Sequence, residues 1–168
     1  IETVFKHLKI KKDKIFFVEH HLAHAAAAYF GSSFSHNKKT LILTCDGAGD
    51  GISSTVSVGY KNKIKRMASS PRSSSLGKIY SRITYHLGLQ PWEHDYKVMG
   101  LAPYGKKEIA DKMVDIFNKV SIVKKNSLQF TNPTKLNASF LFDYLKEKLL
   151  LARFDNIALA VQTYLERQ

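Results

Sequence analysis

Short apolar runs broken by turn residues fill the first hundred positions, and a helical rhythm takes over in the last sixty. Glu2–Ile10 carries Val4, Phe5 and Leu8 at helical spacing, and Lys11-Lys12-Asp13-Lys14 predicts the turn that ends it. Ile15-Phe-Phe-Val18 reads as a short buried strand by its length and β-propensity. From His20 an Ala-rich helix runs until Gly31-Ser-Ser stops it, with Ala23 and Ala25 to Ala28 small enough to lie close on a sheet. Thr40–Cys45 predicts a second apolar strand, and Asp46-Gly-Ala-Gly-Asp-Gly51 a turn. Ser53–Tyr60 and Lys63–Ala68 alternate with period two across Lys61-Asn62, the signature of an antiparallel hairpin with Gly59 and Asn62 near its turn.

Ser69–Ser75 is a polar loop. Leu76–Leu87 then places Ile79, Ile83 and Leu87 on one helical face, beside Tyr80, and Gly88 ends it. Trp92–Gly105 has too many Gly and Pro for a plain long helix and predicts a short helix broken by an ordered loop. Ile109–Val120 is an amphipathic helix, Ile122–Thr131 has room for a small hairpin, and Ala138–Leu151 and Ile157–Arg167 are two more helices. No internal repeat appears. A strand, a glycine turn and a hairpin differ from the Rossmann pattern, whose glycines open a helix, and no Gly-Lys-Ser/Thr supplies a Walker loop. The order suits an α/β fold of the actin-like kind, with a mixed sheet, packed helices and a hairpin turn that grips phosphate.

Composition narrows the classes. The 168 residues are 44% hydrophobic and 24% charged, ordinary for a soluble domain, and no apolar run approaches the ~18 residues of a membrane span. The chain starts at Ile1 without Met, and its last helix reaches Gln168 without a stop signal, so both ends are expected to be cuts in a longer chain. One cysteine excludes an internal disulfide and fits a reducing, cytoplasmic setting; Cys45, in an apolar strand, is expected to be a buried inert thiol. Lys+Arg number 26 against 14 Asp+Glu, a formal +12 that can signal nucleic acid. Much of that excess is scattered Lys rather than Arg interleaved with aromatics, which favours a solvated surface.

The candidate chemistry gathers between residues 20 and 51. His20 and His24 are four apart, so on a helix they share a face and both imidazoles can reach one ion. A zincin peptidase would need Glu directly after the first histidine; His21 stands there instead. Asp46, at the end of the following strand, is placed to add a hard third ligand, leaving open positions for phosphoryl oxygens. Gly47, Gly49 and Gly51 let amides point at an anion without Cβ obstruction, and a tight hairpin entry is the equal alternative reading. Asp50 has three readings, metal ligand, base or turn residue, and the turn residue is favoured. Further on, Lys97 beside Met99-Gly100 is a substrate-contact candidate, whereas His94 and Asp95 read as loop residues.

Three strings carry a family resemblance: His20-His-Leu-Ala-His24-Ala-Ala-Ala-Ala-Tyr, Asp46-Gly-Ala-Gly-Asp-Gly51 and Tyr96-Lys-Val-Met-Gly-Leu-Ala-Pro-Tyr-Gly105. In that order they resemble the O-carbamoyltransferases of the nodulation-factor, cephamycin and tobramycin type, strongly over about residues 15–105 and only in helical character over 106–168. The resemblance implies that residues 1–168 are part of one actin-like carbamoyltransferase domain. It also implies a second, adenylate-forming domain elsewhere in the full-length chain, which makes carbamoyl-adenylate from ATP and carbamoyl phosphate. The carbamoyl group then moves to a hydroxyl of a small acceptor such as a sugar or antibiotic.

On the same resemblance a divalent metal, iron by family and zinc or manganese by chemistry, would be held by His20, His24 and Asp46, with a further aspartate from outside these residues. Gly47, Gly49, Asp50 and Gly51 would lie along the nucleotide phosphate, and Lys97 and Gly100 on the nucleotide or acceptor side. The family's opening hairpin, with its own phosphate contacts and a candidate catalytic histidine, is expected upstream of Ile1, so the catalytic base is not assigned here and the piece is expected not to turn over alone. Two rivals stand beside this reading: a non-catalytic nucleotide-binding module of the same fold, and an RNA-modifying threonylcarbamoyl-transferase relative. The latter family has Met-Glu-Gly between its paired histidines where His21-Leu22-Ala23 stands here, which favours a small-molecule acceptor over RNA.

Overall fold

A computed structural model describes residues 2–136 and 138–168. Helix α1 (Glu2–Leu8) and helix α2 (His20–Phe30) precede a meander of three strands, β1 (Thr40–Gly49), β2 (Ile52–Tyr60) and β3 (Lys63–Pro71). Then come α3 (Leu76–His86), α4 (Asp95–Leu101), α5 (Lys107–Asn118), the two-residue strands β4 (Ile122–Val123) and β5 (Phe130–Thr131), α6 (Ala138–Leu149) and α7 (Phe154–Glu166). The side chains of Val4 and Phe5, which carry the helical rhythm of α1, lie outside the described ones.

The sheet is antiparallel throughout, in the order β1-β2-β3, and not mixed as expected. Two-residue turns explain this, because strands joined so tightly can only run in opposite directions. Asp50 and Gly51 both adopt positive φ (49° and 81°), the type I′ geometry whose twist matches a hairpin. The expected six-residue turn at Asp46–Gly51 is therefore a two-residue one. β1 runs on to Gly49, with a register shift between Cys45 and Gly49 where the glycines let the strand bend. Ser69, Ser70 and Pro71 likewise belong to β3 rather than to a polar loop, and a 3-10 turn at Arg72–Ser74 follows.

Ile15–Val18 is not a strand. Among the described residues nothing pairs with it, and Phe16 and Phe17 are 83% and 74% exposed. A strand's amides need a ladder partner, so β-propensity alone did not make one. Cys45 is exposed rather than buried, on the face of β1 that also shows Leu41 and Leu43 to solvent. Desolvation by surrounding protein, then the Asp46 carboxylate, pushes its thiol up, so it remains a poor nucleophile.

Helix α2 packs on the sheet through one stripe, His21, Ala25 and Tyr29; Ala23, Ala27 and Ala28 face outward, against the expectation that all the alanines line the contact. Tyr29 reaches its close packing because β2 has Gly59 beneath it, where a Cβ would stand 2.6 Å from the ring. The larger core is helical: Ile79 and Ile83 of α3, Val98 of α4, Phe117 of α5, Leu145 and Leu149 of α6, and Ile157, Val161 and Tyr164 of α7. Gly105 presses on α7 closely enough that a Cβ would meet the Asp155 carbonyl oxygen at 2.6 Å, and the Lys106 amide donates to Asn156 Oδ1 at 2.7 Å. The Pro103-Tyr104-Gly105 segment thus has a packing role.

Tyr164 ties this core to the β4 entry, its hydroxyl donating to the Ser121 carbonyl at 2.6 Å. Burial pushes its ionisation up to about 12, and that of Tyr80 likewise to about 12 by burial and then by Asp95. An unfolded tyrosine ionises near ~10, so the folded chain holds both protons more tightly. Their contribution is complete below about pH 10 and is lost as pH rises toward about 12. Tyr164→Phe is expected to cost about 1–3 kcal/mol at neutral pH, because the Ser121 carbonyl loses its buried donor. It should also roughly halve the alkaline fall in stability; urea unfolding at neutral and alkaline pH measures both.

Candidate metal centre

Glu19 starts the site. Its carboxylate accepts from the amides of His21 (3.1 Å) and Leu22 (2.8 Å), capping α2, and it pairs with Arg66 of β3, which holds the helix end over the sheet. The next amide, that of His20, donates to Asp50 Oδ2 at 2.9 Å. Asp50 is therefore a turn residue that also caps α2, tying the tip of the β1–β2 hairpin to the helix start.

That docking sets His20 over β1. Its Nε2 lies 2.7 Å from Asp46 Oδ2 and 3.0 Å from His24 Nε2, and His24 Nε2 lies 3.5 Å from the same carboxylate oxygen. Sequence spacing paired the two histidines and offered Asp46 as a third ligand; in the folded chain one ligand atom from each residue falls within a 4.8 Å cluster. A divalent first-row ion binds imidazole at about 2.1 Å, so neighbouring ligand atoms around it stand about 3.0–3.4 Å apart. The three observed separations bracket that range. One proton on His20 Nε2 can serve only one of its two contacts, so the cluster has more lone pairs aimed at one point than hydrogens to satisfy them. The donor set fits a cation. Two imidazoles and one carboxylate suit iron, zinc or manganese.

The Asp46 carboxyl is held below its usual range by the His20 hydrogen bond and then the Gly47 amide, with burial opposing. It is thus an anion ready to bind. His21, between the two candidate ligands, is spent elsewhere. Its ring is fully buried, with Nε2 3.0 Å from the Ile52 carbonyl and Nδ1 2.8 Å from Thr44 Oγ1. A carbonyl can only accept, so Nε2 carries the proton toward Ile52.

The glycines beside the cluster have different duties. Gly49 passes directly under His20: a Cβ there would lie 2.1 Å from the ring. Gly47 lies against the N-terminus of α3 at Gly77 on one side and the indole of Trp92 on the other. Ser75, the N-cap of α3, donates to the Asp46 carbonyl at 3.2 Å, so that helix start is fixed to the same segment. Trp92 escaped sequence reasoning. It is 76% exposed, at a φ of 73°, and it meets a residue 45 positions away, a contact for which no local pattern exists. Lys97 and Gly100 lie exposed on α4, Lys97 over the Tyr96 ring, and among the described residues no hydrogen bond or ion pair joins either to the cluster. Asp95 starts α4, accepting from Thr84 Oγ1 and from the Trp92 amide, and His94 Nδ1 accepts from the Gln90 amide.

Together these observations define the class: an α/β module presenting two histidines and a carboxylate where a capped helix meets a glycine hairpin. The chain belongs to the carbamoyltransferase N-terminal family, whose description, "Carbamoyltransferase N-terminus", matches residues 2–168. It is 43% identical over 97 residues to nodulation protein NolNO of Sinorhizobium fredii, covering 58% of this chain and 14% of that protein. It is 39% identical over 88 residues to nodulation protein NolO of Bradyrhizobium diazoefficiens, covering 52% and 15%. An uncharacterized protein of Methanocaldococcus jannaschii is 30% identical over 177 residues, covering 94% of this chain and 28% of its own length. The chain thus spans between 14% and 28% of these curated relatives. No helix among the described residues is long and apolar enough to cross a membrane.

Proposed function

We propose that this chain forms one wall of a carbamoyl-transfer site on an actin-like lobe. The donor is carbamoyl-adenylate, made from ATP and carbamoyl phosphate by an adenylate-forming domain of the same full-length protein, and the acceptor is a hydroxyl of a small molecule. The observation that carries this reading is the convergence of His20, His24 and Asp46 beside a glycine hairpin in a chain of this family. In the reaction the acceptor oxygen attacks the carbamoyl carbon, the bond from that carbon to the adenylate phosphate oxygen breaks, and AMP leaves. The hydroxyl proton passes to a base outside these residues.

What the chain supplies is position and charge. His20, His24 and Asp46 would hold a divalent ion, iron by resemblance, which when bound neutralises negative charge on the departing phosphate. The β1–β2 hairpin, pinned to α2 through Asp50, would lie along the phosphate, with open space for it at Gly51, while His20 covers Gly49 and Trp92 flanks Gly47. The exposed indole of Trp92 closes one flank.

The test uses the full-length protein with ATP, labelled carbamoyl phosphate and a panel of sugars and aminoglycosides. AMP should form, and label should appear on an acceptor hydroxyl. Formation of AMP with no acceptor of any class labelled would count against the assignment. Residues 1–168 alone are expected to transfer nothing.

A further inference from the structure

On the other flank of the same hairpin lies a cavity of about 520 Å³, lined by Gly51, Pro71, Arg72, Ser73, Ser75, Lys78, Arg82 and Leu141. Its charged members are all cations. Lys78 and Arg82 are four apart on α3 and so share a face, and Arg72 comes from the 3-10 turn after β3. Among the described residues none of the three forms an ion pair, and no carboxylate lines the cavity. Burial lowers the Lys78 pKa, and the charges of Arg72 and Arg82 lower it further, so the three cations repel one another without a counter-charge.

Three cations around one cavity with no carboxylate among them make it a basic hollow that an anion would neutralise. The cavity's size suits a small molecule rather than a macromolecular surface. Arginine's planar fork matches phosphate and carboxylate, and Ser73 adds a hydroxyl to the wall, whereas the Ser75 hydroxyl is spent on the Asp46 carbonyl and the Lys78 amide. The position ties the cavity to the transfer site: Gly51 belongs to the turn whose preceding residue binds the His20 amide, and α3 begins against Gly47.

We propose that this cavity binds a phosphate or carboxylate group carried by the acceptor, so that the acceptor class is anionic, a phosphorylated or acidic sugar, rather than a cationic aminoglycoside. The inference rests on the carbamoyl-transfer reading for the word acceptor; the anion site itself does not. Arg72, Lys78 and Arg82 would hold the acidic group, leaving a hydroxyl free to lie toward the hairpin at Gly51.

Calorimetric titration of the full-length protein separates the possibilities. Glucose 6-phosphate, galacturonate and inorganic phosphate are expected to bind, uncharged glucose is not, and affinity should fall as salt rises. Lys78→Gln and Arg82→Gln, each checked by thermal melting to be folded, should weaken the anions at least about tenfold and change AMP affinity less than about twofold. Equal binding in the variants, or no anion binding at all, would overturn the proposal. An equal loss for AMP would also overturn it, by giving the cavity to the nucleotide. Anion binding that depends on Lys78 and Arg82 without any carbamoyl transfer would instead sink the transfer reading and leave the anion site standing.

Discussion

On the proposed reading, His20→Ala and His24→Ala are each expected to abolish divalent-metal binding and carbamoyl transfer in the full-length protein. Each histidine contributes one of three ligand atoms that this chain brings within a 4.8 Å cluster. Losing one leaves an imidazole and a carboxylate, a weak two-point site for any first-row ion. Removing a group that merely orients a ligand costs about 10–100-fold in affinity, so removing a ligand should exceed about 100-fold. Stability should change little in metal-free protein, because both rings are partly exposed and neither belongs to the core.

His21→Ala is the control with the opposite signature. It leaves Thr44 and the Ile52 carbonyl without a buried partner and opens a void under α2, at a cost of about 1–3 kcal/mol for the polar groups alone. Its effect should appear first in the melting temperature. Metal-to-protein ratios measured on protein purified without chelator, beside thermal melts, read both. Metal content unchanged in His20→Ala and His24→Ala would end the metal proposal.

The same three histidines show what was legible in sequence and why. His20 and His24 share one helical face; His21, Ala25 and Tyr29, each four apart, share the adjacent one, and that second stripe packs on the sheet. Spacing alone therefore separates ligand candidates from a core histidine, once the buried stripe is recognised as the one that contains Tyr29. The helices after residue 75 were legible for a related reason: their apolar period states the face, as Ile79 and Ile83 do for α3, where Gly88 also marks the end. Strands depend on partners. Ile15–Val18 has the composition of a strand and no ladder, while Asp46–Gly49 looks like a turn and is drawn into β1 by pairing with β2. The cation cavity and the Trp92 contact were illegible because their members come from separate elements and meet only after the hairpin docks on α3.

Gly49→Ala is expected to damage the metal centre as severely as losing a ligand, although it removes no ligand atom. An alanine Cβ at this position would stand 2.1 Å from His20 Cγ and Cδ2 and 2.6 Å from its Cβ. The last of these is the root of the side chain, so rotating the ring cannot clear the overlap; either the imidazole swings off the cluster while the helix start lifts, or β1 bends away. Lifting the start also breaks the His20 amide's bond to Asp50, so hairpin tip and helix lose their tie. We expect a loss of about 1–3 kcal/mol, typical of overpacking, with metal affinity down by more than about 100-fold. Gly51→Ala makes the contrast. It has nothing within 4 Å of a Cβ and suffers only from its φ of 81°, about 1–2 kcal/mol of backbone strain with the cluster intact. Metal retention should thus separate the two variants where stability does not. Full metal binding by Gly49→Ala would show that His20 is free to reach the cluster from another direction, and that its seat on β1 is not what sets the centre.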